Sequence, residues 1–232
     1  MINVSRYQAR AYLTIFRGST SLHLPIKKME RSRYHILRNK PHFITCTVVN
    51  STPLFGKAEL AQILLNSLSF LQHQQRLTLY SYVIMENHIH LIASAANLSK
   101  EIGNFKSLTA QSIINLLQEN QSSHFLNQLK FSKLKHKTDQ EYQVWQEGFH
   151  PQAILNEETF RQKLDYIHNN PVKHGYVDER VYWRYSSPRN SMEQSGLLQV
   201  LIDLWGRADR ACVASSQAEL GKLVVKASAS SN

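Results

Sequence analysis

The stretch Leu77–Ser94, LTLYSYVIMENHIHLIAS, decides the fold. Its first part, Leu77–Met85, is rich in β-branched and aromatic residues and reads as a strand; Glu86-Asn87 is a short break; His88–Ser94 reads as a second strand. Side chains two apart on a strand share a face, so His88 and His90 project together while Ile89 turns into the core. Two adjacent imidazoles are half of a divalent metal site. With 11 histidines in the chain, a chance His-x-His on a solvated strand face gives the same pattern.

Upstream, Phe43–Val49 (FITCTVV) is a further strand pattern, broken by Asn50-Ser51-Thr52-Pro53. From Lys57 onward Leu60, Ile63, Leu64, Leu68 and Leu71 recur at three- and four-residue steps, the buried stripe of an amphipathic helix. Downstream, Ile102, Phe105, Thr109, Ile113, Leu116 and Leu117 mark a second helix. Lys130–Lys137 (KFSKLKHK) holds four lysines and no acid and reads as a solvated basic loop, and a short strand is expected around Tyr142–Trp145. Asn156 can cap a third helix, Glu157 and Glu158 suit its positive end, and Phe160, Leu164 and Ile167 give its core stripe. That helix is expected to stop near Asn170, because Pro171 disfavours the α conformation in the residue before it. The order strand, helix, strand, strand, helix, strand predicts an α+β fold: a ferredoxin-like split β-α-β antiparallel sheet with helices on one face, plus a C-terminal tyrosine-bearing helix.

The chain has 232 residues, of which 42% are hydrophobic, enough to bury a core. Its net charge of +10 is uneven: residues 1–40 carry nine basic side chains against the single acid Glu30. A basic arm on a nearly neutral body suits a polyanion, nucleic acid or a membrane surface, or serves as a solubilising tail. No apolar run approaches the roughly 20 residues that span a bilayer, and the charged first residues do not read as a secretory signal. Cys46 and Cys212 lie far apart, which leaves no disulfide framework and no thiolate zinc site, so a cytoplasmic location is expected. Met29 reads as the start of the folded unit, with residues 1–28 a basic extension, 29–205 the functional domain and 206–232 an Ala/Ser-rich tail.

The second chemical signal is Tyr166-Ile167-His168-Asn169-Asn170-Pro171. Tyr166 and Asn170 are four apart and lie one above the other on a helix, beside the core stripe, which leaves Tyr166 facing a cleft. A tyrosine hydroxyl can attack a phosphodiester but is a weak nucleophile while protonated, with an ordinary pKa near ~10; a metal at the phosphate compensates. A tyrosine packed at a helix edge, with Asn as a C-cap, gives the same sequence.

Taken together, these segments resemble a family. Tyr82–Leu91 is similar to the His-hydrophobe-His (HUH) strand of single-tyrosine transposases, and Tyr166–Val177 resembles the tyrosine helix of REP-associated tyrosine transposases. Phe105-Lys106-Ser107 with Thr109, Trp145-Gln146, and Trp183 with Tyr185-Ser186-Ser187 extend the resemblance over roughly 29–190. It implies that Tyr166 is the nucleophile of a covalent 5′-phosphotyrosine link, that His88 and His90 bind Mg²⁺ or Mn²⁺, and that Asn170 is the third ligand. Glu86 departs from the Pro usual before the Asn-His pair and is expected to alter the turn between the strands without removing the ligands, with its carboxylate joining the metal as the alternative, and His174 stands where Arg is common.

Arg31, Arg33 and Tyr34, ahead of the first strand, combine charge with a ring that can stack on an unpaired base, and related transposases read a sequence beside a DNA hairpin with this region. Lys106 and Lys173 are candidate phosphate contacts, and the lysines of residues 130–137 either grip a hairpin stem or are simply solvated. The implied function is a metal-dependent single-strand DNA endonuclease and strand transferase acting on hairpin-forming repeats, a monomer or a homodimer exchanging its tyrosine helix. There is no GxxxxGK[ST] loop, hence no sign of a nucleotide cofactor, and there is no HExxH zinc helix or G-x-S-x-G elbow. The rivals are a non-catalytic DNA-hairpin-binding regulator and a ferredoxin-like RNA-binding module, although Phe43 and its neighbours lack the latter's signature.

Overall fold

A computed structural model of the protein describes residues 36–192 and 194–201. The basic extension, the Ala/Ser-rich tail and the candidate DNA contacts Arg31, Arg33 and Tyr34 lie outside the described residues. The ordered elements are β1 (His42–Thr47), α1 (Ala58–His73), β2 (Thr78–Ile84), β3 (His88–Ser94), α2 (Leu98–Glu119), α3 (Ser123–Phe131), β4 (Gln152–Ala153) and α4 (Glu157–Lys173), with short helical turns between and after them. The sheet has the order β2-β3-β1-β4, antiparallel throughout. This is the ferredoxin-like split β-α-β arrangement, with β3 between the parallel strands β1 and β2.

The two faces of the sheet carry separate cores. Ile44 and Cys46 of β1, Tyr82 and Ile84 of β2, and Ile89 and Leu91 of β3 pack with Leu60, Leu64 and Leu68 of α1 and Ile102, Phe105 and Ile113 of α2. Tyr80, Val83, Met85 and Ile92 pack on the opposite face against Phe160, Leu164 and Ile167 of α4. The period-2 pleat sorts the β3 residues: Ile89 and Leu91 go to the larger core, and His88 and His90 share a face with Ile92 under α4. A register shift between Leu79 and Ser81 lets both Tyr80 and Ser81 face α4, where the Tyr80 hydroxyl bonds Ser94 Oγ at 3.0 Å and Ser81 Oγ bonds His168.

Three expectations are corrected. The strand expected at Tyr142–Trp145 forms only an isolated bridge between Trp145 and Val48; the edge strand is Gln152–Ala153, at the other end of β1. Trp145 instead turns inward, its indole N–H donating to Thr109 Oγ1 at 3.0 Å and its ring packing against Phe55 and Phe105. The basic segment is partly helical, since α3 runs to Phe131, and its charges are largely answered: Lys130 pairs with Glu141 at 2.9 Å, Lys137 with Glu147 at 3.3 Å, and Lys133 donates to the Lys137 carbonyl.

The tyrosine helix does not end at Asn170. Pro171 lies inside α4, where its missing N–H forfeits one bond in the last turn without stopping the helix. The end is set four residues later by Gly175 at φ +73°, with Gly175 N–H donating to the Val172 carbonyl and Tyr176 N–H to the Pro171 carbonyl. That paired pattern is a Schellman C-cap, which needs a left-handed residue and favours glycine. The N-terminus follows the sequence: the Asn156 side chain accepts from Thr159 N–H at 2.8 Å. No described helix is long and apolar enough to cross a membrane.

Candidate active site

The site forms where β1, β3 and α4 meet. Thr45 is the cross-strand partner of His90, and Thr47 of His88. Thr45 Oγ1 lies 2.8 Å from His90 Nδ1, while Nδ1–H of His88 donates to Asn87 Oδ1 at 2.6 Å. With ring protons on Nδ1, both Nε2 atoms present lone pairs. The two rings lie 4.6 Å apart, centroid to centroid. Burial pushes the His88 pKa down to about 4 and that of His90 to about 3, with the neighbouring cationic forms of His88 and His174 and the charge of Lys163 adding to the effect on His90. Both rings are therefore neutral at pH 7, as metal ligation requires.

Helix α4 supplies the rest. Phe160, Leu164 and Ile167 are its core stripe, and the adjacent stripe Lys163, Tyr166, Asn170 and Lys173, spaced three, four and three, faces the histidines. The Tyr166 ring lies 5.2 Å from the His90 ring in an edge-on arrangement, within a single chain. Tyr166 remains 40% exposed, open to a large ligand. One turn on, Asn170 is only 2% exposed and its Oδ1 has no hydrogen-bond partner among the described residues. An orphaned buried acceptor is costly unless something occupies it. Two imidazole nitrogens and a carboxamide oxygen on one cleft are a chemically suitable donor set for a divalent ion. Among the described residues no group of three His, Cys, Asp or Glu side chains forms a metal cage, and the Glu86 carboxylate instead accepts from the Tyr176 hydroxyl.

The remaining predicted contacts divide. Lys173 comes to the site, its Nζ 5.8 Å from the centre of the Tyr166 ring. Lys106 does not: it projects from α2, on the other side of the sheet, and donates to the carbonyls of Gln146 and Gly148 at 2.7 and 2.5 Å, so it ties down a loop.

Sequence reasoning missed Phe43. Its ring stacks on His90 at 5.3 Å, meets the edge of Tyr166 at 5.7 Å, and carries the Lys163 ammonium 4.8 Å from its centre. The strand alternation that puts Phe43, Thr45 and Thr47 on one face was the available signal. Also missed was a buried polar knot: His168 Nε2 lies 3.2 Å from Ser81 Oγ and 3.0 Å from Ser187 Oγ, and Ser187 Oγ accepts from Tyr82 N–H at 3.1 Å. Burial lowers the His168 pKa to about 3, so the ring is neutral, and the knot pins α4 to β2 two residues from Tyr166.

No protein-family model matches the chain. Over 44 residues, 19% of its length, it is 43% identical to the REP-associated tyrosine transposase of Escherichia coli, covering 27% of that protein. Over a 44-residue stretch it is also 46% identical to a putative REP-associated tyrosine transposase of Haemophilus influenzae, covering 25% of it. The sequence match therefore spans about a quarter of these relatives. A solved REP-associated tyrosine transposase, bound in its structure to a REP hairpin, superposes with a TM-score of 0.54 over 78% of this chain and 93% of the other, at 21% identity. The chain has the fold of a REP-associated tyrosine transposase. At 21% identity over the superposed residues, what that comparison shows is the shared architecture.

Proposed function

We propose that this protein is a single-strand DNA endonuclease and strand transferase of the REP-associated tyrosine transposase type, with Tyr166 as nucleophile. The observation that carries the reading is the meeting of Tyr166 with the His88–His90 pair inside one chain, the phenol 5.2 Å from the nearer imidazole by ring centres. The phenol oxygen of Tyr166 forms a bond to phosphorus and the P–O3′ bond breaks. The proton lost by the phenol is balanced by one gained at the departing 3′ oxygen. One phosphodiester replaces another, so the linkage energy is retained and the exchange can run back on the same or another strand.

His88 Nε2, His90 Nε2 and Asn170 Oδ1 are the atoms that would hold Mg²⁺ or Mn²⁺, which supplies positive charge at the scissile phosphate. Thr45 and Asn87 orient the two imidazoles through their other ring nitrogens. Phe43 fills the corner between His90 and Tyr166 and keeps their rings in register. Lys173 places a charge beside the nucleophile's ring, where a phosphate of the substrate would lie. The substrate class is single-stranded DNA with a palindrome folded as a hairpin and an unpaired flank.

The test is incubation of end-labelled single-stranded oligonucleotides, each with a hairpin and an unpaired flank, in Mg²⁺ or Mn²⁺, followed by a denaturing gel. A labelled band at the mass of protein plus fragment is expected. It should vanish in Tyr166→Phe and in His88→Ala while hairpin binding persists. Binding without any adduct in the wild type would favour a DNA-binding regulator, and an adduct in Tyr166→Phe would remove Tyr166 from its role.

A further inference from the structure

We propose that Lys163 is a phosphate-holding residue of this site, and that Lys163 and Lys173 together lay the bound strand lengthwise along α4 with the scissile phosphate between them. The inference rests on the proposed function and adds to it the path of the substrate. Lys163, Tyr166, Asn170 and Lys173 form one stripe of the helix, with a lysine on each side of the candidate nucleophile. Ten residues of helix span about 15 Å, room for several phosphates at the roughly 3.4 Å axial spacing of one strand in a duplex, and for fewer in a stretched single strand.

The charges near α4 single out these two. Arg161 pairs with Glu157 at 2.5 Å and Arg180 lies 3.6 Å from Asp165, whereas among the described residues neither Lys163 nor Lys173 has a carboxylate within salt-bridge distance. Each ammonium rests instead on an aromatic face, Lys163 on Phe43 at 4.8 Å and Lys173 on Tyr166 at 5.8 Å. Phe43 in turn stacks on His90, so Lys163 stands beside that stack three residues before the phenol, while Lys173 lies by the phenol ring from seven residues after it. A half-buried ammonium without a counter-ion gains from a bound anion more than a solvated surface lysine does. Lys163 is half-buried and Lys173 exposed, and with the two cations bracketing the phenol along the helix a polyanion threads between them; a single free phosphate has no use for both.

The experiment uses the full chain. The cut is first located by sequencing the fragment released by the wild type. Oligonucleotides carrying one uncharged methylphosphonate at each linkage around the cut are then bound, in chelator, to Tyr166→Phe protein and to the same protein with Lys163→Gln or Lys173→Gln. Two linkages on opposite sides of the cut should each weaken binding, roughly 1.5- to 5-fold, the range of a solvent-facing ion pair. Lys163→Gln should abolish sensitivity at one of them, Lys173→Gln at the other, and Lys163→Arg should retain it. Sensitivity unchanged in Lys163→Gln at every linkage, or both lysines coupling to the same linkage, overturns the proposal. Should the wild type form an adduct while no coupling appears, the strand path alone is wrong; should no adduct form, the functional reading fails first.

Discussion

Replacing Ser187 by Ala unties the tyrosine helix from the sheet, and its cost follows from the hydrogen bonds. Ser187 Oγ accepts from Tyr82 N–H at 3.1 Å and lies 3.0 Å from His168 Nε2 and 2.9 Å from Ser81 Oγ, with Ser187 1% and His168 2% exposed. The change orphans a buried backbone N–H, at about 1–3 kcal/mol, and deletes one net side-chain hydrogen bond, about 0.5–1.5 kcal/mol. His168 retains Ser81 as a partner at 3.2 Å, which holds the total to about 2–4 kcal/mol. A small domain has about 5–15 kcal/mol in hand, so the variant still folds. Urea unfolding should show a midpoint lower by roughly 1–2 M at the usual slope for such domains. Ser186→Ala, which among the described residues removes only a bond to the Trp183 carbonyl, serves as the control and should cost about 1 kcal/mol or less. Because the knot sits two residues from Tyr166, Ser187→Ala should also slow adduct formation more than it weakens hairpin binding. A midpoint within the error of wild type, together with an unchanged adduct rate, would refute the view that this knot positions the helix.

Thr45→Val keeps the shape of the strand but removes the group that orients His90; Mn²⁺ affinity by calorimetry should fall about 10- to 100-fold, and an unchanged affinity would remove Thr45 from that role. Stability should also fall in acid. The pKa values of His90 and His168 drop from the ordinary 6.5 to about 3 on folding, so below pH 6.5 the unfolded chain takes up protons that the folded chain refuses. The contribution is complete above pH 6.5 and is lost progressively down to about 3, at about 1.4 kcal/mol per pH unit for each ring; chemical denaturation at pH 7 and 5 measures it, and equal midpoints would contradict it.

Periodicity made most of the architecture legible. The alternation in His88–Ser94 and the stripe Leu60, Ile63, Leu64, Leu68 and Leu71 each describe one face of one element, and burial follows both patterns. Where the sequence misled, a second residue outweighed the one read. Pro171 is a stop signal by local preference, but the cap formed at Gly175 closes α4 downstream of it, and the last turn tolerates the lost bond. Trp145 reads as strand by composition, yet its indole is claimed by Thr109 and the aromatic core. Lys106 looks like a phosphate contact until the loop carbonyls around it are seen. The meeting of Tyr166 with His90 was expected from the resemblance, whereas Phe43 between them and Lys163 beside it depend on how β1 docks under α4, a tertiary fact that no single-element pattern encodes.

The most direct measurement is to digest the protein–DNA adduct with trypsin and nuclease and sequence the modified peptide by mass spectrometry. Cleavage after Lys163 and Lys173 releases LDYIHNNPVK, residues 164–173, whose only tyrosine is Tyr166. The account predicts a nucleotide phosphate on that tyrosine and a free 3′-hydroxyl on the released strand. A nucleotide found on any other residue, or an unmodified 164–173 peptide from purified adduct, would contradict it.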